Sequence, residues 1–269
     1  MSVTYPLGFR AGGIRAGLRP PPGLDLALIV NDGPADVVAG VFTTNRVCAA
    51  PVQWSRHATA DHKARAVIVN AAVANACTGI DGFADCDITF SRVDSDACMS
   101  TNDTVVAMAS GASGISLTGD ELTDALTELC AILARQLVAD AEGSHHDVKV
   151  TVTGAISTEA AVAVAREVTR SNLVKTAIAG NDPNWGRILA AIGCVPENVA
   201  PFDPDQVDVS INDIQICKAG GIGEDRNLVD MRPREVHIDI ELHAGDAEAA
   251  VWTNDLTHQY VEENSEYTS

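Results

Sequence analysis

Apolar positions along this chain come first in short runs and later in regular periods. Leu24–Val30, Val37–Phe42 and Ala66–Val69 are brief and rich in β-branched residues, which predicts buried strands. Arg19-Pro-Pro-Pro-Gly23, ahead of the first run, reads as a turn or connection, because consecutive prolines cannot donate to a sheet ladder. From Thr118 the period changes. Thr118 and Glu121 have the spacing of a capping box, and Leu122, Leu126, Leu129, Leu133 and Leu137 recur at helical spacing, predicting a helix with one apolar face. Val148, Val150 and Val152 then alternate with polar neighbours as a strand, and the alanine-rich Ser157–Arg170 returns to helix. Val207–Cys217 and Glu235–Leu242 alternate again, with Val236, Ile238, Ile240 and Leu242 on one face. Strands, then helices, then strands predict an α/β fold of mixed sheets layered with helices, rather than a regular doubly wound one.

Composition sets the limits of that core. Hydrophobic residues make up 46% of 269, but aromatics only 4%, so Ala, Val, Ile and Leu must do the packing. No apolar run reaches the roughly 18–20 residues that span a bilayer. Met1–Gly17 lacks an apolar stretch followed by a small-residue cleavage site, so a cytoplasmic protein is expected. Charge changes the picture more. Thirty-seven acidic side chains against 18 basic ones leave a net charge of -19, and the lysines are only Lys63, Lys149, Lys175 and Lys218. Such a field repels nucleic acid and anionic membrane surfaces, which argues against both as partners. It fits an ordinary acidic protein, and fits better a halophilic one, in which concentrated salt screens the self-repulsion. Seven cysteines with no Cys-x-x-Cys pair predict reduced, partly buried thiols and no zinc site.

Candidate chemistry is sparse. His145-His146-Asp147 reads as a solvated loop before a strand rather than a metal site, since adjacent residues rarely face one ion. Ala219-Gly-Gly-Ile-Gly223 opens no clear helix and reads as a turn. Glu142 follows the end of the predicted leucine helix; it is either a solvated helix end or, because acids are unfavourable there, a residue with another task. Asn181-Asp-Pro-Asn-Trp-Gly-Arg187 interrupts an apolar context with polar, Pro, Trp and Gly character, and is open between a structural turn and a site. The polar end, Asn264–Ser269, belongs to a class of tail that normally frays.

Asn181–Arg187 resembles the Asp-Pro-Asn-Trp-Gly-Arg signature of the ornithine acetyltransferases (glutamate N-acetyltransferases) of arginine biosynthesis. Further resemblances run in family order: Leu7-Gly-Phe9 and Gly12-Gly-Ile14, Ala39-Gly-Val-Phe-Thr-Thr-Asn-Arg46 continuing to Ala49-Ala-Pro-Val52, Val69-Asn70 with Ala74-Asn-Ala-Cys-Thr-Gly79, Ser100-Thr-Asn-Asp-Thr104, Asp140-Ala-Glu-Gly143, and Asp255-Leu-Thr257 through Asn264. The resemblance implies an α/β fold and acetyl transfer from N-acetylornithine to glutamate. It implies no cofactor, with acetyl-CoA a co-substrate of some members, and leaves homo-oligomerisation open. It also implies self-cleavage before a threonine whose freed amine activates its own hydroxyl as nucleophile.

The chain departs from the family at the point where that threonine belongs. The Ala-Thr-Met-Leu motif that carries the nucleophile, the Thr-Gly stretch of the oxyanion hole and the Lys-Gly-x-Gly run before the cleavage site are all absent. An internal deletion between Ala84 and Asp87 is expected. Residues 1–85 then correspond to the N-terminal part of the family's first chain, and 86–269 to part of its second chain. No catalytic residue carries over. Three substrate-binding positions do: Glu142, suited to a cationic amine, Asn264, and Ser269 where a threonine is usual. Thr101 or Thr104, placed by the sequence at a helix start, is a poor substitute nucleophile. Acetyl transfer is therefore expected to be lost, the alternatives being a non-catalytic ornithine-binding homologue or the remnant of a deleted gene.

Overall fold

The computed structural model describes residues 2–16, 23–70, 92–96 and 100–266. Most of the proline turn, Ala74–Gly79, the expected join at 84–87, Cys77, Cys86, Cys98 and Ser269 lie outside the described residues. The chain divides into two compact units: one holds Met1–Cys86, Met99–Leu126 and Ser269, the other Asp87–Cys98 and Thr127–Thr268.

The first unit contains strands β1 (Phe9–Ile14), β2 (Leu26–Asn31), β3 (Val37–Phe42), β4 (Ala66–Asn70) and β5 (Thr104–Ala109), with helix α1 (Ala50–Ala58). They form an antiparallel sheet in the order β1-β2-β4 and an antiparallel β3-β5 pair. Pro51 starts α1 without needing a backbone donor, and Val52 packs with Cys48, Ala49 and Phe42. The three predicted strands form, but their burial is uneven: Val38 is 1% exposed, as expected, while others are not covered. Leu28, Ile68 and Val69 are exposed, Ile68 by 63%. Apolar, β-branched content specifies an extended backbone; it does not specify what covers it. Thr104 opens strand β5 rather than a helix, and its hydroxyl donates to the Asn102 carbonyl at 3.0 Å.

Helix α2 (Gly119–Ala139) begins as the capping box requires: Glu121 N–H donates to Thr118 Oγ1 at 3.3 Å, and Thr118 N–H to Glu121 Oε2 at 2.9 Å. Its buried face is Cys130, Ala134 and Val138, while Leu129, Leu133 and Leu137 are exposed. The predicted leucine stripe thus lies beside the buried face. Small residues bring a helix close to its neighbours, and the longer leucines flank that contact.

The second unit is a six-stranded sheet ordered β11-β6-β10-β7-β8-β9, built from β6 (Asp147–Ala155), β7 (Asp208–Ile211), β8 (Ile214–Lys218), β9 (Gly221–Ile222), β10 (Glu235–Glu241) and β11 (Ala247–Asn254). Strands β6 and β10 run parallel and the remaining pairs antiparallel, so the sheet is mixed. The alternating residues Val148, Val150, Val152, Val236, Ile238 and Ile240 are all at most 1% exposed. Helix α3 (Thr158–Arg170) is capped by Ser157, whose Oγ accepts from Ala160 N–H at 3.2 Å. It lays Ala161, Val164, Ala165 and Val168 onto β6 and β11. Helices α4 (Asn172–Ala179), α5 (Trp185–Ile192) and α6 (His258–Glu266) complete the unit. Ala219 and Gly220, both in the left-handed region, turn β8 into β9 as expected. Cys48, Cys130 and Cys217 are free and buried, and Cys194 is free and exposed. Among the described residues no helix is long and apolar enough to cross a membrane.

Candidate functional site

The sheet and helices of the second unit leave a cavity of about 420 Å³ lined by the turn after α2, the end of α3, the start of α4, residues 95 and 96, the end of β11, and α6. That volume lies within the roughly 300–1,000 Å³ of small-molecule sites.

One wall grows from the last residues of β11. Asn254 Nδ2 donates to the Val138 carbonyl at 2.8 Å, satisfying an open carbonyl at the end of α2, and to the His146 carbonyl at 3.2 Å. Asp255, 3% exposed, accepts from the His145 and His146 N–H groups at 2.9 and 3.0 Å and lies 2.8 Å from His146 Nδ1. His146 Nε2 lies 3.0 Å from the Met231 carbonyl. His146 is therefore buried and structural, not the solvated loop residue expected. Thr257 Oγ1 caps α6 by accepting from Tyr260 N–H at 3.0 Å and donates to the Gly143 carbonyl at 2.6 Å. These bonds fix the turn that carries Glu142. On α6, one turn beyond Tyr260, Asn264 brings Nδ2 to 3.3 Å from Glu142 Oε2. Burial first, then the negative charges of Asp96 and Glu142, push the Tyr260 phenol above its ordinary value, so it stays a hydroxyl donor.

The other wall is basic. Arg170, at the end of α3, donates from Nε to Asp94 Oδ2 at 2.7 Å. Lys175, 8% exposed on α4, donates to the Ser95 carbonyl and to Thr253 Oγ1. Thr253 Oγ1 in turn donates to the Asp94 carbonyl at 2.7 Å. Among the described residues no group of His, Cys, Asp and Glu is arranged to hold a metal ion.

Of the three positions carried over from the sequence, Glu142 and Asn264 meet at this cavity, and Ser269 lies outside the described residues. Asn181–Arg187 does not line the cavity. Asn184 caps α5, its Oδ1 accepting from Arg187 N–H at 3.2 Å, and Arg187 Nη1 donates to the Leu173 carbonyl at 2.8 Å, bracing the helix that bears Lys175. Asp94, Arg170 and Tyr260 were not singled out by sequence, and His146 was singled out only as part of a loop. Asp255 stood inside a quoted motif, and only its neighbours in space disclose its task.

The family model for ArgJ matches residues 10–89 and 84–269. The chain belongs to the ArgJ family. It is 40% identical to the arginine biosynthesis bifunctional protein ArgJ of Bifidobacterium longum over 391 aligned positions, and 36% identical to that of Thermobifida fusca over 386, both alignments spanning the whole of each chain. Those alignments are longer than the 269 residues here, so part of each relative has no counterpart in this ArgJ-family chain. The crystal structure of ArgJ from Bacillus halodurans superposes with a TM-score of 0.61 at 35% identity, covering 67% of this chain and 88% of that one. The α/β fold of mixed sheets and helices is therefore that of ArgJ, a family of acyltransferases of arginine biosynthesis.

Proposed function

We propose that this chain keeps the ornithine side of the family's acetyl-transfer site and has lost the transfer. The observation that carries the reading is the meeting of Glu142 with Asn264 at a cavity of substrate size. A carboxylate beside an amide suits an ammonium group, and Ser269 is carried over as a third substrate-binding position from the family resemblance alone. Loss of transfer follows from chemistry. The sequence holds no Ala-Thr-Met-Leu run, and the two stretches matched by the family model meet at residues 84–89, which supports a deletion there. Without the threonine there is no covalent step, and without the Thr-Gly stretch an oxyanion donor is missing too. In an intact member N-acetylornithine and glutamate are the substrates, with acetyl-CoA as a further donor in some. A net charge of -19 is the observation that supports a salt-rich cytoplasm as its setting.

The test is a coupled assay of purified protein in concentrated salt, with ornithine binding measured alongside by calorimetry. N-acetylornithine and glutamate should give no product above the uncatalysed rate while ornithine binds. Turnover that vanishes in Glu142→Ala would overturn the reading. Intact mass after long incubation should show one species at 28.1 kDa, because no self-cleavage motif is present.

A further inference from the structure

We infer that Arg170, held by Asp94, receives the carboxylate of the ligand whose amine is taken by Glu142 and Asn264, so that the cavity selects an amino acid over the matching diamine. This rests on the cavity being the ornithine-type site proposed above.

Two cations line the cavity, and they are placed differently. Lys175 is nearly buried and its ammonium is committed to the Ser95 carbonyl and Thr253. It ties residues 94 and 95 to α4 and has little to offer a ligand. Arg170 is 45% exposed in its side chain and donates from Nε to a carboxylate that is 1% exposed. The geometry of that pair is the informative part. An arginine whose whole task is to neutralise a buried aspartate does so with the two-pronged contact that uses both carboxylate oxygens. Here a single nitrogen makes the bond, and Asp94 Oδ1 is buried with no partner among the described residues. The terminal nitrogens of Arg170 likewise carry no hydrogen bond there, so the end of the fork that fits a carboxylate stays available at the cavity. Asp94 thus positions Arg170 without consuming it.

Two carboxylates, Glu142 and Asp96, line the same cavity and act on Tyr260. A cavity that offers both a cation and carboxylates complements a zwitterion that carries both charges. A molecule with ammonium groups alone meets only half of it.

The experiment compares L-ornithine with 1,4-diaminobutane, its decarboxylated counterpart, by titration calorimetry on wild type, Arg170→Gln, Arg170→Lys and Glu142→Gln. Wild type should prefer ornithine by about tenfold, the scale of a charge-assisted hydrogen-bonded contact. Arg170→Gln keeps an N–H for Asp94 but removes the charge; it should lose that preference without weakening diaminobutane binding. Arg170→Lys keeps the charge but not the fork, and should bind ornithine less tightly than wild type while still preferring it. This second variant decides the matter if the first does not fold. Glu142→Gln should weaken both ligands. Unchanged ornithine preference in the Arg170 variants would overturn the inference and leave the proposed site standing. A wild-type protein that binds neither ligand would overturn both.

Discussion

Gly143 sits next to Glu142 at a left-handed φ of 60°, and a Cβ there would collide with the backbone of Tyr260. The turn that aims Glu142 and the first turn of α6 touch without room for a side chain. Gly143→Ala should therefore both strain the backbone and push α6 away, at a cost of about 1–3 kcal/mol. Thermal melts and ornithine titrations read the two effects, and an unchanged melt would show that the turn tolerates the methyl. The residues around it illustrate what a sequence discloses at this scale. Glu142 and Asn264 were reachable because their motifs resemble those of a family. Asp94 and His146 were not, since their partners Arg170 and Asp255 lie 76 and 109 positions away. Polar residues have no periodicity to betray such pairings; only the fold brings them together.

At the scale of elements, local chemistry was legible and coverage was not. The capping box of α2, the alanine-rich helix from Ser157 and the alternation of β6 and β10 are written in neighbouring residues and appear as expected. Which face of α2 is buried depends on what lies opposite, and there the leucine period misleads. Two comparisons follow. Thr118→Ala should cost about 1 kcal/mol, the usual loss for an N-cap hydroxyl. Val138, 1% exposed, should lose at least about 1 kcal/mol on truncation to Ala, while Leu133→Gln on the exposed face should stay within about 0.5 kcal/mol. Chemical denaturation of the three variants ranks them, and a costly Leu133→Gln would mean that the leucine face is covered in solution.

For the whole molecule the governing quantity is charge. With 37 acidic and 18 basic side chains, the folded chain holds its charges closer together than the unfolded one does, and dilute buffer does little to screen them. The melting midpoint should rise clearly from dilute buffer to molar salt. A flat or falling midpoint would dispose of the high-salt reading. This property was legible from composition alone, because net charge is a sum and needs no fold. The family, too, was legible, from motifs spread in order along the chain.

Among the described residues, the turn that carries Glu142 is held by side chains from one stretch near the C-terminal end: Asn254, Asp255, Thr257 and Asn264. That wall is not sewn from one continuous length of chain. A short strap from upstream of α2 holds it too: Asp94 N–H donates to the Trp252 carbonyl at 2.7 Å, and Ser95 Oγ to Asn254 Oδ1 at 2.6 Å. The pocket is thus buttoned from two places in the sequence, and a change confined to either one would loosen it.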